Sequence, residues 1–217
     1  MDFIFEQIPA GGDRNFAYLI ADRATGEAAV VDPSYEPARS LERASAQRLN
    51  VSKILVTHGH PDHIAGNRTV QRETGAEVYA FATSPAKPDH PLADGDSVSI
   101  GSIQVKALHV PGHCPDHLLF FLPDQRMALT GDHLFVGKIG GTGSEADART
   151  EFDSLRRMLD ELPDETTVWP GHDYGCRPSS TIGLERRNNP FLLARDLEAF
   201  LELKRDWARF KAAHGLR

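Results

Sequence analysis

Apolar positions along this chain change period several times. Phe16-Ala-Tyr-Leu-Ile20 and Ala28-Ala-Val-Val31 are short, nearly continuous apolar runs of strand length. Gly26 falls in the turn between them, so the pair reads as a hairpin, and Asp32-Pro33 closes its second strand. Across residues 36–49, Leu41, Ala44 and Leu49 recur at helical spacing. Ile54-Leu55-Val56 is the next strand, residues 67–74 a short helix ending at Gly75, and residues 77–80 another strand. Strand, helix, strand, helix in this order predicts α/β layering. Residues 83–94, rich in Pro and Asp, read as a loop. Four strand-like runs follow, at 97–100, 103–108, 118–122 and 127–130. Residues 150–162 predict an amphipathic helix with Phe152, Leu155, Leu159 and Leu162 on one face. Thr167-Val-Trp169 is a last strand, and beyond Pro190 a helical segment carries Leu193, Leu197, Phe200, Leu201 and Phe210. The two halves share an order of sheet region, His-bearing turn and helix, without a clear sequence repeat.

Composition narrows the class. A chain of 217 residues, 40% hydrophobic, suits one well-cored domain with a small appendage. Its net charge is -7 and no dense Lys/Arg run occurs, so nucleic acid is not an expected partner. No apolar stretch approaches a membrane span, and Met1-Asp2-Phe3-Ile4-Phe5-Glu6 lacks the pattern of a signal peptide. Two cysteines, Cys114 and Cys176, make no disulfide framework, so a cytoplasmic protein is the expectation.

Thr57-His58-Gly59-His60-Pro61-Asp62-His63 concentrates three imidazoles and a carboxylate at the end of an apolar run. A Gly-Pro turn there projects side chains into one small volume. Neutral imidazoles with a carboxylate suit a divalent transition metal of intermediate softness. Further candidates also follow short apolar runs: His113 in Val110-Pro-Gly-His-Cys, Asp132 in Thr130-Gly-Asp-His, and His172 in Trp169-Pro-Gly-His-Asp-Tyr174. Each is preceded by Gly, which allows close backbone approach to a shared centre. Side chains at successive strand ends of an α/β sheet gather into one crevice.

Taken together, these residues resemble the ligand pattern of the metallo-β-lactamase superfamily, over residues from about 16 to 176. Asn15-Phe-Ala-Tyr-Leu-Ile20 and Ala29-Val-Val-Asp-Pro33 are similar too. Ser180-Thr-Ile-Gly183 with Asn189-Pro-Phe191 resembles the hydroxyacylglutathione hydrolase, or glyoxalase II, branch. The resemblance implies a four-layer αββα sandwich over residues 1–176, with residues 177–217 as a short helical extension packed on it. It implies one metal ion on His58, His60 and His113, a second on Asp62, His63 and His172, and Asp132 between them. Two divalent ions are expected, zinc first, with iron or manganese as alternatives. Asp62 and Asp132 would also orient the attacking water, and Lys138 and Tyr174 would contact substrate. The implied activity is hydrolysis of a thioester by a metal-activated water, on S-lactoylglutathione or a related acyl-thiol. The alternatives are a mononuclear Fe(II) persulfide dioxygenase using His58, His113 and Asp132, and a hydrolase of another ester or lactone. The expected partner is a small molecule such as a glutathione thioester, and the C-terminal helix offers a surface for a homodimer.

Several residues depart from the branch. Gly137-Lys-Ile-Gly-Gly-Thr-Gly-Ser144 keeps Lys138 but lacks the following Lys-aromatic pattern. That stretch also lacks the Gly-Lys-Ser/Thr ending of a P-loop, and a mobile substrate loop is expected there. Asp116 stands where Gly is usual, and His133 where Thr is usual. His117 and His133 read as hydrogen-bonding partners of the ligands rather than ligands. His109 reads as structural, His90 and His214 as solvated, and Cys114 as a bystander to a complete ligand set.

Overall fold

The computed structural model describes residues 3–214. Its first half runs β1 (Phe3–Pro9), β2 (Phe16–Asp22), β3 (Glu27–Val31), α1 (Pro37–Ala46), β4 (Asn50–Leu55), α2 (Pro61–Ile64), α3 (Asn67–Thr74), β5 (Glu77–Phe81) and β6 (His90–Leu92). The second half begins with β7 (Ser97–Ile100), β8 (Ile103–His109), β9 (Leu118–Leu122) and β10 (Met127–Gly131). The small pair β11 (Leu134–Phe135) and β12 (Lys138–Ile139) leads to α4 (Glu145–Glu161), β13 (Thr167–Pro170) and β14 (Ser180–Thr181). Three helices close the described chain: α5 (Ile182–Asn188), α6 (Leu197–Arg205) and α7 (Trp207–His214).

Strands β1 to β6 form one sheet in sequence order, antiparallel through β3 and parallel from β3 to β6. The second sheet has the order β14-β13-β10-β9-β8-β7, and only β10 and β13 pair in parallel. Parallel neighbours need a crossover, which α1, α3 and α4 supply on the outer faces for β3-β4, β4-β5 and β10-β13, while residues 82–89 join β5 to β6 without a helix. Alternation within single strands fixes the layers. On β2, Phe16, Tyr18 and Ile20 join Leu118, Phe120 and Leu122 of β9 in the core between the sheets. Leu19 and Ala21 point the other way, onto Ala44 of α1 and Val70 of α3. On the far side Leu119, Ala128 and Val168 pack with Leu155, Met158 and Leu159 of α4. The stack is therefore helix, sheet, sheet, helix, as the resemblance implied.

Some elements differ from the sequence reading. Residues 83–94 contain β6, which pairs in parallel with β5 at the sheet edge, where Pro91 is tolerated because no further strand needs its N–H. Helix α4 starts earlier than expected, at Glu145, because the Ser144 side chain accepts the Asp147 N–H and caps it. Its buried face includes Glu151 beside Leu155 and Met158, an acid that the apolar pattern concealed. Helix α6 lays Phe200, fully buried, edge-on against Phe152 of α4 and Phe191.

Strands β4, β8, β10 and β13 end on one edge of the sandwich. The loops that follow them carry His58 and His60, His113, Asp132, and His172. His63 lies on α2, whose first residue is Pro61, a favoured position because its missing N–H is not needed there.

Candidate metal centre

All seven candidate ligands meet at this edge. His58 Nε2 and His113 Nε2 stand 3.0 and 3.1 Å from His60 Nδ1. Across the site, His172 Nε2 lies 3.3 Å from Oδ2 of both Asp62 and Asp132. His63 Nε2 is 3.4 Å from Asp132 Oδ1 and 3.6 Å from Asp62 Oδ2, and His113 Nε2 is 3.6 Å from Asp132 Oδ2. Asp132 thus faces both clusters.

The outer ring nitrogens explain why the inner ones are free to ligate. His58 Nδ1 is 3.1 Å from Thr57 Oγ1, whose own proton goes to Asp32 Oδ2 at 2.6 Å. His63 Nδ1 lies 2.9 Å from the same Asp32 oxygen. His113 Nδ1 faces the Gly141 carbonyl at 2.7 Å, and His172 Nδ1 the Asp13 carbonyl at 2.8 Å. Each outer partner is an acceptor, so each Nδ1 carries a proton and Nε2 is the inward nitrogen that a metal can take. Asn15 donates to Asp62 Oδ2 at 2.9 Å and fixes the remaining carboxylate. Gly171 is required here: a Cβ would stand 2.4 Å from Asp132 Oδ1.

The donors fit divalent cations. His60 Nδ1 can offer a proton to only one of the two lone pairs beside it. The contacts of 3.3–3.6 Å to the carboxylates exceed ordinary hydrogen bonds. Two donors on one tetrahedral ion, with bonds of about 2.0–2.1 Å, stand about 3.3 Å apart. His63 Nε2 and Asp132 Oδ1 are buried without a hydrogen-bond partner. The donor atoms of His58, His63 and Asp132 lie within 4.8 Å of one another, as do those of Asp62, His63 and His172. Cys114 also comes within this range of His58 and His60, but burial first, and then Asp116, keep its thiol protonated by raising its pKa.

Charge divides the centre in two. Burial, then His63, holds His58 well below the ordinary imidazole pKa, so it stays neutral. Burial also opposes a charge on His63, but Asp132 and Asp32 outweigh it and hold the pKa well above the usual value. Burial likewise opposes a charge on His172, yet contact with Asp132 and Asp62 lifts it to about 9. Asp62 is held low, first by His172. The acidic half therefore recruits positive charge, which protons supply when metal does not.

The remaining candidates border the centre. The Tyr174 ring stacks on His172 with centroids 4.6 Å apart, and its hydroxyl donates to Asp13 Oδ2 at 2.5 Å. Lys138 Nζ lies 3.9 Å from the Tyr174 ring centroid. Behind Lys138, a cavity of about 580 Å³ runs past Gly140 and Gly141 to Phe191, Lys204 and Trp207. His117 accepts the Asp132 N–H at 3.0 Å, and His133 is buried beside Glu151, so neither points at the shared centre. His109 stacks on Phe81, and exposed His90 stacks on Tyr79 and meets Glu77. Exposed His214 stacks on Phe210. Sequence reasoning gave no role to Glu151, nor to Glu185, which accepts the Gly137 N–H at 2.8 Å and steadies the loop bearing Lys138. The available signal was an acid inside an otherwise apolar helix face.

This fold and centre define a class. Residues 10–172 match the family model of the metallo-beta-lactamase superfamily, and the chain belongs to that superfamily. Its relatives make it a metal-dependent hydrolase of the glyoxalase II kind. The chain is 35% identical over 185 residues to a hydroxyacylglutathione hydrolase of Cereibacter sphaeroides, covering 83% of this chain and 71% of that one. It is 33% identical over 180 residues to the mitochondrial persulfide dioxygenase ETHE1 of Homo sapiens, covering 82% of this chain and 71% of the relative. The crystal structure of ETHE1 from Myxococcus xanthus superposes with a TM-score of 0.87 at 32% identity, covering 94% of this chain and 91% of that chain. Among the described residues no helix is long and apolar enough to cross a membrane.

Proposed function

We propose that the protein hydrolyses a thioester of an anionic thiol, with S-lactoylglutathione the leading candidate. The observation that carries this is the convergence of the seven donors beside a cavity with Lys138 and Lys204 on its wall. In this reading His58, His60 and His113 hold one divalent ion, Asp62, His63 and His172 hold a second, and Asp132 serves both. Zinc is the expected metal. Bound ions supply Lewis acidity to a carbonyl oxygen and lower the pKa of the attacking water. Asp62, fixed by Asn15, and Asp132 accept hydrogen bonds from that water and aim it at the carbonyl carbon. Lys138 attracts the anionic end of the substrate, and the Tyr174 ring forms a wall against its apolar part. The thiol leaves with a proton and the acid is released.

The test is thiol release from S-D-lactoylglutathione by protein purified without chelators. We expect release that chelation abolishes and that His113→Ala lowers by at least about 100-fold together with metal content. Full turnover in that variant would overturn the reading.

The likeness to ETHE1 from Myxococcus xanthus, and to a relative named a persulfide dioxygenase, supports a second reading, oxidation of a persulfide. His58, His113 and Asp132 then form a two-His, one-carboxylate set for a single ferrous ion. Oxygen uptake with glutathione persulfide, without thiol release from the thioester, would select it.

A further inference from the structure

We propose that Glu151 is a positioning residue that sets His113 for metal, with His133 facing its second carboxylate oxygen. The inference rests on the metal-centre reading above and adds a residue to it. Glu151 lies on the inner face of α4 and is fully buried. Its Oε2 accepts the backbone N–H of His113 at 2.6 Å. Its Oε1 lies 2.8 Å from Nδ1 of His133, an ion-pair distance without a hydrogen bond; His133 is also fully buried and adjoins Asp132 in sequence. One carboxylate oxygen therefore holds the backbone that presents His113, while the other faces a side chain next to Asp132.

Three features show that this contact is built into the fold. Gly112, at φ +142, leaves room for it: a Cβ there would stand 2.2 Å from Glu151 Oε2 and 2.4 Å from its Cα. Three residues along α4, Ser154 donates to the Pro111 carbonyl at 2.7 Å and pins the same loop. On the other side of the ring, the Gly141 carbonyl holds His113 Nδ1, while the Gly140 carbonyl accepts from Lys204 at 3.2 Å. The His113 ring is thus held from the loop and its backbone from α4.

A buried carboxylate is costly unless its oxygens find partners, and Glu151 has one hydrogen bond, through Oε2, with only the ion-pair contact of His133 at Oε1. The hydrogen bond goes to an N–H that no strand or helix uses, since His113 sits in the turn between β8 and β9. Without Glu151 that N–H loses its partner, and the loop gains freedom to rotate His113 away from His58 and His60. The acid occupies a helical face shared with Leu155 and Met158, where an apolar residue would pack equally well. His133 is the polar group nearest the second carboxylate oxygen, at ion-pair distance.

The experiment is zinc titration of metal-free wild type, His113→Ala, Glu151→Met and Glu151→Gln, in competition with a chromophoric chelator, with thermal melts alongside. Wild type is expected to bind two ions, and His113→Ala identifies the step that depends on that ligand. In Glu151→Met the same step should weaken by about 10- to 100-fold while the other changes by less than about threefold. Glu151→Gln, which keeps an oxygen for the His113 N–H and an amide for His133, should return that step to within about threefold of wild type. If Glu151→Met does not fold, His133→Ala carries the same expectation in direction, because it removes the ion-pair contact at Glu151 Oε1 and leaves the α4 packing in place. Unchanged zinc affinity in a folded variant, or equal weakening of both steps in parallel with the melt, overturns the proposal. So does failure of Glu151→Gln to restore binding. Absence of zinc binding in wild type would instead defeat the metal-centre reading itself.

Discussion

Asp32 occupies left-handed backbone at φ 46, a conformation that Asp tolerates better than most residues, just where β3 ends. There both carboxylate oxygens are used: Oδ1 accepts the Thr57 N–H at 2.8 Å, and Oδ2 serves Thr57 Oγ1 and His63 Nδ1. One residue thereby fixes the tautomers of His58 and His63. Asp32→Asn removes one acceptor and places an amide against existing donors, so zinc affinity should fall by about 10- to 100-fold. A chelator competition assay checks this, and unchanged affinity would remove Asp32 from the ligand-orienting role. A second carboxylate shows a purely structural use. Asp22 Oδ2 accepts the Ser102 N–H at 2.7 Å and its hydroxyl at 2.8 Å, and these bonds, the backbone one first, hold its pKa below the usual value. The folded pKa is below the unfolded one, so this stabilisation is present above about pH 4 and disappears as pH falls through the folded value. Asp22→Asn should therefore melt below wild type at pH 7, and the difference should close in acid. A difference that does not shrink as pH falls would contradict this linkage.

At the scale of elements, the C-terminal helices are joined to α4 by aromatic packing. Phe200 is fully buried, with Phe152 and Phe191 at ring centroid distances of 5.3 and 5.9 Å. We propose that residues 177–217 are an extension of the 1–176 domain rather than a separate folding unit. Phe200→Ala should cost about 3–5 kcal/mol, as large-to-small aromatic substitutions in cores do. At about 2–4 °C per kcal/mol for a chain of this size, the melt should drop by roughly 6–20 °C as one transition. A separate early transition would show that the extension unfolds by itself. The same helices supply Lys204 and Trp207 to the cavity beside Lys138, so the variant should raise KM for an anionic thioester.

For the whole molecule, the centre draws its donors from the ends of strands in both sheets, and filling it should tie the two sheets together. Metal at about 1,000 times its Kd contributes about 4 kcal/mol to the folded state. Chelation should accordingly lower the melting temperature by at least several degrees, and zinc should restore it. A melt indifferent to chelation would show that the donors hold no metal under the conditions of the assay.

Much of this architecture was legible in the chain because strand and helix periods are local. The unbroken apolar run from Leu118 to Leu122 announced a strand, and Gly-bearing turns after apolar runs announced His113, Asp132 and His172. Other features depend on groups brought together from far apart. The pairing of β5 with β6 was hidden by Pro91 in a stretch with loop composition. The proton on His172 Nδ1 is fixed by a carbonyl 159 residues away, and the seating of His113 by an acid 38 residues away. Sequence by itself determined which side chains could ligate and at which strand ends they stand, because those follow from residue chemistry and short-range period. Only the tertiary structure decided which ring nitrogen faces inward, that Glu151 is turned to the His113 backbone, and that α6 and α7 wall the cavity. Those outcomes depend on directional contacts across layers, which no local pattern encodes.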